Sequence, residues 1–212
     1  MPDFDVIVIG AGPASQIRRT RTGAQRSVLV LASSIVVAFL AAANAPSPLY
    51  ERYETAWHAS PLIGTIAFAA YAVAVIVGLL WLKELPALLG RRAVLLGAIA
   101  GQALALGLFA VAGSFTLIVV GRVLQGLASG AALGTLSAAM VESDAARGTV
   151  ASAASPGAGS GSGALLSGLV VQFLPDPRQA IYLILAAILA IQALLVLRVM
   201  PRGQRRPLSW KR

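Results

Sequence analysis

The sequence predicts an all-α membrane protein with six transmembrane helices, and three observations predict it. Of its 212 residues, 58% are hydrophobic and 12% are charged, where a soluble domain carries about 25% charged residues. The apolar residues fall into six runs, each near the roughly 20 residues that cross a bilayer core. The basic residues gather on alternate connections between those runs, the pattern of a chain with one cytoplasmic side.

The N-terminus, Met1 to Ala14, reads like the opening strand and turn of a flavin-binding dinucleotide domain, with Gly10 and Gly12 in place. The fingerprint then stops. Ser15 stands at its third glycine, a basic stretch from Arg18 to Arg26 replaces the expected helix, and no acidic residue follows Asp5 before Glu51. The ribose-binding carboxylate of such a domain is therefore missing. Residues 1–26 are read as a cytoplasmic extension, a gene-start or fusion scar being the other source of the fingerprint, and no cofactor is assigned. Residues 27–200 form the membrane domain, and 201–212 form a polybasic tail.

The first span runs from Val28 to about Ala45. Its competing reading is a secretory signal cleaved near Ala43-Asn44-Ala45, opposed by its length and by the spans that follow. Asn44, Pro46 and Pro48 end it, because proline lacks a backbone donor and biases its predecessor away from helical geometry. Tyr50, Tyr53 and Trp57 fall in the loop, at a depth that suits amphipathic rings. His58, the one histidine, has no second ligand or dyad partner. The second span covers 61–82 with Tyr71 near mid-depth. A basic turn, 83–92, leads to the third span, 93–112, which contains Gln102.

The fourth run, Phe115 to Val141, carries the most informative residues. Arg122 is the one strongly charged group in the interior of any span. An arginine there costs about 2.5–3.5 kcal/mol on insertion scales, so it must face protein or a water-filled cavity. Gly126, Gly130 and Gly134 extend its row every four residues and let another backbone approach. Arg122 is read either as a group that handles substrate or protons, or as a structural arginine bonded to backbone carbonyls of neighbouring helices. Gln125, Asn44, Tyr71 and Gln102 complete the set of candidate translocation-path residues, each with packing as its plainer role.

Residues 149–174 contain a glycine- and serine-rich middle that resembles a flexible linker. The absence of charge from Arg147 to Asp176, with Ser155, Gly159, Gly163 and Ser167 at helical spacing, instead predicts a closely packed fifth span. The sixth, 180–199, has no glycine and suits a lipid-facing position. Orientation follows from charge: with the N-terminus inside, inside segments hold 14 basic residues and outside segments hold Arg52 and Arg178 alone. Both termini are expected in the cytoplasm of a multi-pass protein of the plasma (inner) membrane. The net charge of +9 is accounted for by these loops and the tail, not by nucleic-acid binding. Without cysteine there is no disulfide framework or thiolate metal site.

With the spans and loops in this order, residues 26–200 resemble the N-terminal half of a major facilitator superfamily transporter. Gly90, Arg91 and Arg92 match the end of that family's motif between spans two and three, while Lys83 and Ala87 occupy the positions of its first glycine and its aspartate. Arg122, Gln125, Gly126 and Gly130 fall on the R-x-x-Q-G-x-x-x-G pattern of span four, whose arginine is associated with proton coupling. Gly159, Gly163 and Gly168 resemble the glycine-rich motif of the antiporter branch, with Ala164 at its proline position. The Pro-Ser-Pro-Leu-Tyr run at 46–50 looks like a group of bacterial members.

The resemblance implies a six-helix bundle built as a 3+3 inverted repeat, with spans one, two, four and five bounding a path and three and six peripheral. It further implies transport of a small organic solute by alternating access, with no enzymatic activity. The expected partners are the lipid bilayer, the solute, and a second six-span half supplied by another copy or another chain. The spans contain no Asp, Glu, Lys or His in their interiors, so coupling residues are expected in that other half. The remaining readings are a non-transporting fragment or assembly subunit, and a membrane-tethered flavin oxidoreductase.

Overall fold

The computed structural model describes residues 13–50, 55, 58, 60–174 and 176–200. Six long helices account for most of them: α1 (Pro13–Asn44), α2 (Pro61–Trp81), α3 (Arg91–Ala110), α4 (Phe115–Ser143), α5 (Ala145–Phe173) and α6 (Pro177–Val199). A 3-10 turn at Ser47–Leu49 follows α1, and one short helix, Leu85–Leu89, lies between α2 and α3. All of these except α5 and the two short elements are long and apolar enough to cross a membrane. α5 has the length, at 29 residues, but glycine and serine lower its hydropathy.

The observed helices follow the six apolar runs to within a few residues except at the start of the chain. The basic stretch 18–26, expected as an extension without helix, belongs to α1. That helix has 32 residues, about 48 Å at 1.5 Å per residue, which exceeds the roughly 30 Å hydrocarbon core. A long N-terminal part therefore reaches beyond the apolar run. Residues 1–12, which carry Gly10 and Gly12, lie outside the described residues, as do Tyr53, Trp57 and the polybasic tail after Met200. His58 lies in the turn before α2 with φ 48°, a left-handed conformation uncommon for a residue with a Cβ.

Close approach of backbones holds the bundle together, and small residues make it possible. A Cβ on Gly126 would sit 2.6 Å from the Tyr71 carbonyl, and one on Gly130 would sit 2.5 Å from the Val75 carbonyl, so α2 lies directly on the glycine row of α4. On the other side of the bundle, a Cβ on Gly159 would meet the Val37 carbonyl at 2.6 Å, and one on Gly163 would strike the Ala41 backbone. Ser155 and Ser167 of the same row are also buried. The glycine-serine stretch is therefore the packed face of a helix against α1. Pro156 stands within it without ending it.

Two glycines of the predicted packing set make no close backbone approach. Gly168 has open space where its Cβ would be, and Gly134 would meet the Leu79 side chain of α2 at 3.7 Å, an ordinary contact distance. The row Arg122, Gly126, Gly130, Gly134 advances 400° per four residues, so its last member stands at the margin of the α2 contact. Gly90, by contrast, has φ 84°, which glycine accommodates at no steric cost. It both ends the short helix and starts α3.

α6 rests on α3, α1 and α5, burying Ile181, Tyr182, Leu185 and Leu189 and stacking Tyr182 near Phe109 with ring centroids 5.7 Å apart. Its other side, with Leu183, Ile191 and Leu194, is exposed, as its glycine-free sequence suggests. Lys83, between α2 and α3, and Arg91 and Arg92, which open α3, lie at the end of the bundle where α4 closes. There Arg91 at the start of α3 meets Glu142 at the close of α4 through two bonds of 2.6 Å. The opposite end contains the end of α1.

Candidate functional site

Helix α1 ends in backbone groups that have lost their helical partners. Pro46 has no N–H for the carbonyl of Ala42, four residues earlier. The N–H of Leu49 turns to Pro46 at 2.9 Å, leaving the Ala45 carbonyl without it. Inside a low-dielectric bundle each unpaired carbonyl costs about 1–3 kcal/mol, so neighbouring side chains are needed.

Those side chains come from α4 and α5. Gln125 Nε2 donates to the Ala42 carbonyl at 3.1 Å, Arg122 Nη1 donates to the Ala43 carbonyl at 2.6 Å, and Ser167 Oγ donates to the Ala45 carbonyl at 2.7 Å. Arg122 and Gln125 are also joined, Nη1 donating to Oε1 at 2.9 Å, and Arg122 Nε donates to the Tyr50 hydroxyl at 2.8 Å. One turn of helical spacing between Arg122 and Gln125 puts both on the α1-facing side of α4.

Arg122 is fully buried, with no carboxylate among its contacts within the described residues. Three rings take the place of a counter-charge: its guanidinium carbon lies 5.6 Å from the ring centroids of Tyr50 and Tyr71 and 5.7 Å from that of Phe109. A desolvated cation over an aromatic face gains about 0.5–2 kcal/mol. Among the described residues, Arg122 Nη2 is left without a hydrogen-bond partner. The arrangement can fix the end of α1 to α4 and hold a desolvated positive charge in the first third of α4.

Of the predicted path residues, Arg122, Gln125 and Tyr71 come together here. Gln102 does not join them. It is fully buried where α3 meets α1, with Nε2 3.5 Å from the Phe39 carbonyl. Asn44 turns back on its own helix, donating to the Leu40 carbonyl at 2.9 Å. Gly90 and Arg91 lie at the basic end with Arg92. Arg91 finds in Glu142 the carboxylate that Ala87 does not supply, and a recess of about 490 Å3 opens beside Gly78, Lys83, Ala87, Arg91, Gly134 and Thr135.

A model of the Major Facilitator Superfamily matches residues 8–212. The chain belongs to that superfamily. Its six long helices in this order, with the arginine-glutamine pair on the fourth, are thus those of a superfamily bundle, and its role is membrane transport of the superfamily type. No curated protein matches the chain.

Two residues around Arg122 go beyond what the sequence reading names. The sequence suits Tyr50 to headgroup level, but it folds back onto Arg122. The signal for this was present, since prolines at 46 and 48 release carbonyls that an arginine would seek, and Tyr50 follows at once. Phe109 had no such signal. It stands in α3 as one apolar residue among many, and the sequence does not reveal that it closes over a guanidinium from α4.

Proposed function

We propose that this chain is one six-helix half of a secondary transporter that moves a small organic solute by alternating access, with both termini in the cytoplasm of a plasma (inner) membrane. In this reading α1, α2, α4 and α5 bound the path and α3 and α6 are peripheral. Arg122 is the central residue: it ties the outer end of α1 to α4, so that the two helices rock as one body, and it keeps a charge buried within the helices that bound the path.

The observation that carries the two-half reading is the packing of α2. Only 22% of its most apolar window is buried, against 56% for α1, and its close partner is α4 alone. Its open side is where a second half would close, with substrate held between halves near the midplane. The test is reconstitution. The mass of the chain in lipid nanodiscs gives its copy number, and proteoliposomes are screened with a panel of labelled organic solutes. A twelve-helix assembly with uptake above empty liposomes supports the proposal. A chain that stays monomeric, or an assembly with no uptake of any panel member, returns it to a non-transporting subunit.

A further inference from the structure

At the basic end, α1 and α6 separate to leave a groove of about 370 Å3 between Gly23, Arg26 and Val30 on one side and Leu195 and Val199 on the other. Next to it, Gln192 Nε2 of α6 donates to the Ser34 carbonyl of α1 at 2.9 Å. From Ser34 to Arg26 is eight residues, about 12 Å along α1. The groove is therefore charged at its mouth and apolar along its depth.

Its polar floor is already satisfied. Ser27 Oγ bonds the Gly23 carbonyl at 3.1 Å, and Ser34 Oγ bonds the Leu31 carbonyl at 2.8 Å. Arg26 is different: it is exposed and takes part in neither of the ion pairs described, Arg91 with Glu142 and Arg147 with Asp144. Val30 at 60% and Leu195 at 40% are exposed, so the apolar walls open outward, and in a bilayer hydrocarbon fills them. What remains to be chosen is the headgroup. An exposed guanidinium at the mouth, engaged in neither of those ion pairs, favours a phosphate whose charge is not offset by an ammonium on the same lipid.

We infer that the α1–α6 groove binds one anionic phospholipid, its phosphate on Arg26 and an acyl chain along Val30 and Leu195. The inference requires only that the chain sits in a membrane, so it stands or falls independently of solute transport. The experiment is native mass spectrometry of the delipidated chain in neutral detergent, titrated with phosphatidylglycerol or phosphatidylcholine. One phosphatidylglycerol is retained in preference to phosphatidylcholine, and Arg26→Gln weakens its retention about fivefold, the effect of about 1 kcal/mol per basic residue at an anionic surface. Arg92→Gln, at the same end but outside the groove, changes it less than twofold, and Val30→Trp, which fills the groove, lowers retention of both lipids. Equal loss in Arg26→Gln and Arg92→Gln, no loss in Arg26→Gln, or displacement of the lipid by soluble glycerol phosphate would overturn the assignment.

Discussion

Gln125 supplies the hydrogen bond that Pro46 withholds. The Ala42 carbonyl, which in an unbroken helix would accept from residue 46, accepts instead from Gln125 Nε2 at 3.1 Å. A break in one helix is thereby repaired by a side chain from another. The dependence runs both ways, because the proline makes the glutamine necessary and the glutamine makes the proline tolerable.

That relationship predicts coupling between the two positions. Gln125→Leu leaves the Ala42 carbonyl unpaired and removes an acceptor from Arg122 Nη1, and is expected to cost about 1–3 kcal/mol. Pro46→Ala returns an N–H at residue 46, so the same Gln125→Leu change made on that background costs less. A double-mutant cycle on unfolding in mixed micelles measures the difference, expected at about 0.5–3 kcal/mol for residues sharing a partner. Strict additivity would show that the proline and glutamine do not share the carbonyl.

The glycines of α5 divide into two classes that behave oppositely. Gly163→Ala drives a methyl into the Ala41 backbone of α1, and is expected to destabilise by about 1–3 kcal/mol, the usual cost of overpacking. Gly161→Ala meets nothing within 4 Å, and gains the helix preference of alanine over glycine, up to about 1 kcal/mol. Thermal unfolding in one detergent compares them. A Gly163→Ala variant as stable as Gly161→Ala would mean that α1 and α5 are not in backbone contact.

How much of this was legible beforehand depended on periodicity. The row Ser155, Gly159, Gly163, Ser167 identified a packed helix within a stretch whose composition resembled a linker, because small residues every four positions have a use only where another backbone approaches. Arg122 and Gln125 stood out through the cost of burying charge and their one-turn spacing. Partners across the bundle could not be read the same way. That Glu142 would meet Arg91 depends on where two helix ends arrive. That Phe109 would cover Arg122, and that Gln102 would reach the Phe39 carbonyl of α1, depends on helix rotation, which the apolar pattern of a membrane helix scarcely encodes, since both lipid and protein accept the same residues.

The Arg91–Glu142 pair predicts a modest pH dependence. The guanidinium holds the Glu142 carboxyl below its ordinary range, whereas in the unfolded chain it titrates near 4.3. A carboxyl whose folded pKa is depressed contributes stability that is fully present above the unfolded pKa and is lost as pH falls through the folded one. Stability should therefore be level from pH 7 to about 5 and decline below about 4.3. Both side chains are partly exposed, at 43% and 59%, so the contribution is held to about 1 kcal/mol or less. Glu142→Gln should remove this component of the acid-side slope, leaving the neutral-pH packing of α3 on α4 unchanged. An identical acid profile in that variant would show the pair to be energetically idle.

The sharpest prediction concerns Arg122 itself. Removing a buried arginine has two effects of opposite sign. Insertion of α4 becomes easier, since an arginine within a span costs about 2.5–3.5 kcal/mol. The folded bundle becomes weaker, since the Ala43 carbonyl, Gln125 Oε1 and the Tyr50 hydroxyl all lose the same donor. Arg122→Ala should therefore reach the membrane at normal levels, lose uptake or efflux, and unfold at lower temperature. Arg122→Lys separates charge from geometry. Its ammonium keeps the charge and can serve one acceptor near Ala43, but it lacks the planar fork that reaches Tyr50 at the same time. It should recover part of the thermal stability and only part of the transport. Full recovery of transport by lysine would show that charge alone matters at this position. Unchanged transport kinetics in Arg122→Ala would remove Arg122 from the mechanism and leave it as the fastening between α1 and α4.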